Sequence, residues 1–243
     1  MGFDFSGEVA KRGGQFKPFS HKAFLDQKPG MMERGHCFGL TLIWLSRYVR
    51  DRSAGADKLS NLSFTQASKD PQAIQVIHQI QNMVKSSFMT QELINAKGGT
   101  GQDKYDQVFG DMNDTAVNNI LRGLGCGHVH FYGAAISERD ITSRVIDAME
   151  RMDSLFLVGT MNHAMGMVVD HRRDLYKFLD VNKGQAVWKG AGSDAPMAGP
   201  RRFDSFRDFL RAYLGDPQTR QAYSGGGPHG VLGYLEAAIP HRA

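Results

Sequence analysis

Cysteine is scarce in this sequence: Cys37 and Cys126 are the only two in 243 residues. That excludes a disulfide-stapled miniprotein, and two unpaired thiols suit a reducing cytosol. Long hydrophobic runs are missing as well. The apolar stretch within the strongest helix candidate covers only Leu42 to Leu45, whereas a membrane-spanning helix takes about 20 such residues. The opening MGFDFSGEVAKRGGQ has no apolar segment of the kind a Sec-type signal peptide needs, which leaves export to a signal-less route. Charge of one sign is equally thin. Lys and Arg number 29 against 25 Asp and Glu, a net charge of +4. The basic residues are scattered, with Arg172-Arg173 and Arg201-Arg202 the densest pairs. Neither approaches the run of about five that reads as a nucleic-acid arm. Nucleic acid is therefore not an expected partner; an anionic membrane surface stays open.

What is present is enough apolar material, 41% of residues, to fill the core of one or two domains. Residues 1–34 are rich in Gly, Lys and Phe without sustained periodicity, and read as a loosely structured N-terminal segment ahead of a domain over 35–243. From Cys37 the stretch CFGLTLIWLSRYVRD is apolar on every side, the mark of an interior helix. A second helix is expected from Pro71 to about Asn95, with Ile74, Ile77, Ile80, Val84 and Phe88 on one stripe. A third runs from Asp114 to Leu124, stopped by Gly125. Strands then dominate, at 128–132, 155–160, 163–170, 175–181, 185–189 and 231–239, with helices at 137–152 (capped by Ser137) and 203–214. Helices first and strands later define an α+β chain, with a helical part (about 30–125) against an antiparallel sheet (about 127–240).

Cys37 falls where the turn Arg34-Gly35-His36 meets the start of the interior helix. Unsatisfied N–H groups there favour a thiolate, the form that attacks carbonyl carbon, and the same groups can hold a developing oxyanion. His163 opens the strand HAMGMVVD, which is followed by HRRD and the strand LYKFLDVN. Folded as a hairpin about Arg172-Arg173, paired residue numbers sum to 345, so Met165 faces Asp180 and His163 faces Asn182. His163 and Asp180 then lie on one face as diagonal neighbours, about 7–8 Å apart at Cα. A carboxylate there can fix the imidazole tautomer, as the third member of a nucleophile–base–acid triad does. Asn182 is the alternative orienter, opposite the histidine.

These blocks carry a family resemblance. GHCFGLTLIWL, NHAMGMVVD and YKFLDVNKG resemble the Gly-x-Cys-x-Gly-Leu…Trp, His-Ala and Asp-x-Asn-x-Gly blocks of the YopT/AvrPphB-type cysteine proteases. The resemblance implies a papain-like fold with the active-site cleft between the helical subdomain and the antiparallel sheet. It implies Cys37 as nucleophile, His163 as general base and acid, and Asp180 as orienter, with no metal or organic cofactor. It also implies a bacterial virulence effector acting on a host protein in the host cytoplasm, with a secretion chaperone as a further partner. Papain-like enzymes place a Gln or Asn five or six residues before the nucleophile to hold the oxyanion. Here those positions are Met31 and Met32, and Gln27 is the nearest upstream amide. Glutamine deamidases and transglutaminase-like toxins use the same three residue types, and a non-catalytic interaction module could keep the fold.

Other signals are weaker. His128 and His130 alternate along one strand, a spacing compatible with metal, but no third ligand follows from the spacing of His171 or Cys126. MGFDFS matches the N-myristoylation pattern with a bulky Phe3 against it. Met165 and Met167 share the His163 face, as core or as cleft lining.

Overall fold

The structure is a computed structural model that describes residues 2–20, 37–53, 116–133, 140–160, 163–190, 202–223, 230–231 and 233–240. The elements in chain order are α1 (Phe5–Lys11), β1 (Gln15–Pro18), α2 (Cys37–Ser53), α3 (Ala116–Gly123), β2 (Gly127–Gly133), α4 (Thr142–Ala148), β3 (Ser154–Gly159), β4 (Ala164–Asp170), β5 (Leu175–Asp180), β6 (Gly184–Lys189), α5 (Arg202–Gly215), α6 (Pro217–Tyr223) and β7 (Gly233–Ala238). The seven strands form one antiparallel sheet in the order β1-β6-β5-β4-β3-β7-β2. The fold is α+β.

Strands β3 to β6 form a meander, and each is buried along almost its whole length. Alternate side chains therefore enter two different cores. On one face Leu155, Leu157, Val168, Leu179 and Leu235 pack with α2 and α3. On the other Phe156, Met165, Met167, Phe178, Trp188 and Tyr234 pack with α1, α4, α5 and α6. Each fully buried Leu or Phe contributes about 1.5–3 kcal/mol. Helices thus cover both faces, one layer more than the sequence led us to expect.

Helix α2 is the interior helix its composition implies: Leu40, Leu42, Trp44, Leu45 and Val49 are all under a twentieth exposed. It lies so close to β4 that a Cβ at Gly166 would sit 2.9 Å from Thr41 and 3.1 Å from Trp44. Polar contacts fix its register. Thr41 Oγ1 donates to the Ala164 carbonyl (3.4 Å), Trp44 Nε1 donates to Gln185 Oε1 (3.0 Å), and Tyr48 and Arg52 both reach Asp170.

The N-terminal segment requires a correction. Residues read as loosely structured form α1 and β1, and β1 pairs with β6 from Gln15↔Val187 to Pro18↔Gly184. Phe5 and Val9, one helical turn apart, are buried, and Phe5 meets Phe178, Phe209 and Tyr213. Elements of seven and four residues are too short to show a period. Helix α4 begins later than expected, with Asp140 Oδ1 accepting from the Thr142 N–H (2.9 Å). Ser137 and the helix expected at Pro71–Asn95 lie outside the described residues. Helix α6 was not anticipated.

Candidate active site

The β4–β5 hairpin turns through a short 3₁₀ segment at His171–Arg173, with Asp174 left-handed at φ 45°. Its ladder pairs Asp170 with Leu175 and Met165 with Asp180, the register read from the sequence. Asp180 therefore ends β5 at the open end of the hairpin, beside the start of β4. His163 directly precedes β4, and its carbonyl accepts from the Thr160 N–H (2.9 Å) and hydroxyl (3.2 Å), which pin the β3–β4 turn.

The two side chains meet. His163 Nε2 lies 2.8 Å from Asp180 Oδ1, with the histidine only 7% exposed and the carboxylate fully buried. Oδ1 also accepts the Asn182 backbone N–H at 2.8 Å. Oδ2 accepts the hydroxyls of Tyr213 and Tyr223, the latter at 2.6 Å. Four donors on one carboxylate replace the water that burial removes. Burial works against the charge of Asp180, but the His163 charge and these hydrogen bonds outweigh it and hold its pKa below the ordinary carboxylate value. Both tyrosine pKa values are driven up, by burial first and then by the carboxylate charge, so they remain hydroxyl donors.

Cys37, the first residue of α2, is 9% exposed and close enough to His163 to act on its ring. Burial pulls the imidazole pKa down. The charge and hydrogen bond of Asp180, with those of Cys37, more than reverse this and raise it to about 10. The ring is thus an imidazolium at neutral pH. With Nε2 engaged by Asp180, Nδ1 is the nitrogen left for other partners. The Asn182 amide lies 3.4 Å from Nδ1. Of the two orienters considered, Asp180 stands behind Nε2 and Asn182 beside the opposite nitrogen.

Gln27, Met31, Met32 and the turn Arg34–His36 lie outside the described residues. The tyrosines were missed in the sequence. Tyr213 sits on the α5 stripe Phe206, Phe209, Leu210, Tyr213 and Leu214, where it reads as core; its hydroxyl, which needs a partner once buried, was the overlooked signal. Tyr223 ends the unanticipated α6, whose start was marked by Pro217 after Asp216. The Asp216 carboxylate accepts the Thr219 N–H at 2.7 Å.

The weaker signals separate from this site. His128 and His130 stack side by side on edge strand β2, ring centroids 5.8 Å apart. Among the described residues no group of three His, Cys, Asp or Glu is placed to hold a metal. His171 is engaged with Tyr176 and the Met149 carbonyl. Cys126 is a free thiol whose pKa burial pushes up to about 11, and Met165 and Met167 are fully buried core residues. Among the described residues no helix is long and apolar enough to cross a membrane.

The class defined by fold and site is an α+β protein with a helix-start cysteine against a buried histidine–aspartate pair. No family model matches the chain, and no curated protein matches it. Among solved structures it is similar to the crystal structure of the Pseudomonas avirulence protein AvrPphB, with 12% identity and a TM-score of 0.48 over 84% of this chain and 92% of that one.

Proposed function

We propose that the chain is a papain-like cysteine protease, a thiol hydrolase in which Cys37, His163 and Asp180 form the triad. The observation that carries this reading is the buried His163–Asp180 contact of 2.8 Å, with Cys37 close enough to act on the same imidazole. In the resting site the Cys37 proton already sits on Nδ1 of His163, and Sγ adds to the amide carbonyl carbon. Backbone N–H groups at the start of α2 face the resulting oxyanion, with Gln27 as the side chain assigned to assist. The C–N bond breaks as Nδ1 returns the proton to the leaving nitrogen. Water then adds to the thioester carbon, its proton passes to Nδ1, and the C–S bond breaks to give the acid and restore the sulfur beside the protonated ring. Asp180 stays ionised throughout and steadies the imidazolium. The steps need no metal or organic cofactor.

The three sequence blocks support a more particular reading: a bacterial effector acting on a host protein in the host cytoplasm. Incubating the purified protein with host lysate, with Cys37→Ala as control, tests both levels. Proteolysis produces new fragments that the Cys37→Ala protein does not make. A gain of about 1 Da on an intact substrate means glutamine deamidation by the same acyl chemistry. Identical lysates with both proteins would reject catalysis and leave an interaction module.

A further inference from the structure

The carboxylate behind His163 is held by more than the triad requires. Its second oxygen receives two tyrosine hydroxyls from two different helices, Tyr213 of α5 and Tyr223 of α6, with the hydroxyls 3.4 Å from each other. Tyr213 is itself fixed by an aromatic cluster: Phe3, Phe5 and Phe178 stand edge-on at 5.0, 5.1 and 5.5 Å. Tyr223 has a second contact with the site. Its ring lies flat on the His163 imidazole, centroids 4.2 Å apart and planes at 16°. That geometry favours a protonated ring and closes one of its faces to water.

We propose that Tyr213 and Tyr223 are positioning residues, which act through Asp180 to keep His163 charged and Nδ1 turned to Cys37. The inference rests on the triad reading above. With Oδ2 saturated, the carboxylate cannot rotate or take a proton cheaply, so Oδ1 stays on Nε2. Without one hydroxyl, a fully buried charged oxygen loses half its donors. Among the described residues, the titratable groups facing this centre are His163, Tyr213 and Tyr223 at Asp180, with Cys37 of α2 beyond the ring.

The test is the pH dependence of Cys37 alkylation by iodoacetamide, in which Sγ displaces iodide, read by peptide mass spectrometry so that Cys126 does not contribute. The full chain is compared with Tyr213→Phe, Tyr223→Phe, the double variant, Tyr223→Leu and Asp180→Asn. Wild type is expected to react readily well below pH 8. At pH 6 each Phe variant should react about tenfold more slowly and the double variant more slowly still, converging with wild type by about pH 10. Tyr223→Leu, which loses ring and hydroxyl, should fall below Tyr223→Phe. Phe profiles that overlay wild type while Asp180→Asn shifts would overturn the tyrosine proposal and leave the triad standing. Slowing by one constant factor at every pH would also overturn it, since that marks a structural role alone. An ordinary thiol profile in wild type would overturn the triad reading and this inference with it. Should Tyr213→Phe fail to fold, Tyr223→Phe decides.

Discussion

Two buried aspartates sit at opposite ends of the same hairpin. Asp170 closes β4 at the turn, and Asp180 closes β5 at the open end. Both are fully buried, and both receive a tyrosine hydroxyl. Their cations differ. Asp170 Oδ2 takes Arg52 Nε and the Tyr48 hydroxyl, each at 2.7 Å, while its Oδ1 has no hydrogen-bond partner among the described residues. Asp180 faces an imidazole and has both oxygens filled. A guanidinium keeps its proton at any pH a protein survives, so Asp170 is a fastener between α2 and the sheet. An imidazole can give its proton up, so the same carboxylate chemistry at the other end becomes a site where a proton can move.

The sharpest way to break this comparison is to neutralise each carboxylate in turn. Asp180→Asn should slow amide cleavage by about 10²–10⁴-fold, because the orienting charge behind the imidazole is lost. Its melting temperature should fall as well, because the amide has one oxygen for four donors and the His163 charge loses its partner; fragment formation from a substrate checks the first and calorimetry the second. Asp170→Asn should spare the reaction and cost stability alone. It strips Arg52 of its counter-charge and costs about 3 kcal/mol of stability by denaturant unfolding, with the alkylation profile of Cys37 unchanged. A profile that moved as far as in Asp180→Asn would erase the distinction.

Titration sharpens it further. Native His163 binds its proton more tightly than an unfolded imidazole, whose pKa is about 6.5. Its stabilising contribution is therefore full below that value and is lost as pH rises toward about 10. Asp180, with its pKa lowered, contributes above the ordinary carboxylate range and loses that contribution as pH falls through its folded value. Melting temperature should decline from pH 6.5 to 10 in wild type and decline less in His163→Gln; equal slopes would contradict the coupling. The smallest effect belongs to Lys177, buried near the Trp44 and Tyr48 rings, with its amine 5.3 and 5.8 Å from their centroids. Burial lowers its pKa to about 8, despite the opposing charge of Asp51. Its charge thus costs stability below pH 8, and the cost fades toward the pKa of the unfolded lysine. Lys177→Met should stabilise by about 1 kcal/mol at pH 7 and less at pH 10, by thermal unfolding at both.

The parts of this arrangement that were legible in the sequence are those set by local periodicity. A strand of alternating residues, a basic turn and a second strand leave little freedom of register, because a slip by one would turn Asp180 to the other face. The all-round apolar character of Cys37–Val49 likewise announced an interior helix. What escaped were features defined by tertiary meeting. Tyr213 is a core residue by pattern, and only the fold reveals that its hydroxyl points at a carboxylate 33 residues away. Tyr223 belongs to a short polar helix, PQTRQAY, with no apolar stripe. The single pair Phe5 and Val9 could not reveal that the N-terminal residues cover a core.

That N-terminal cover has a practical consequence. Phe3 and Phe5 lean on Tyr213, and the neighbouring strand shields one margin of the sheet along β6. A shortened version lacking the first eighteen residues would bare that margin and unseat a ring three contacts from the sulfur. Trimming for crystallisation or expression would thus reach the reactive centre without touching any residue in it.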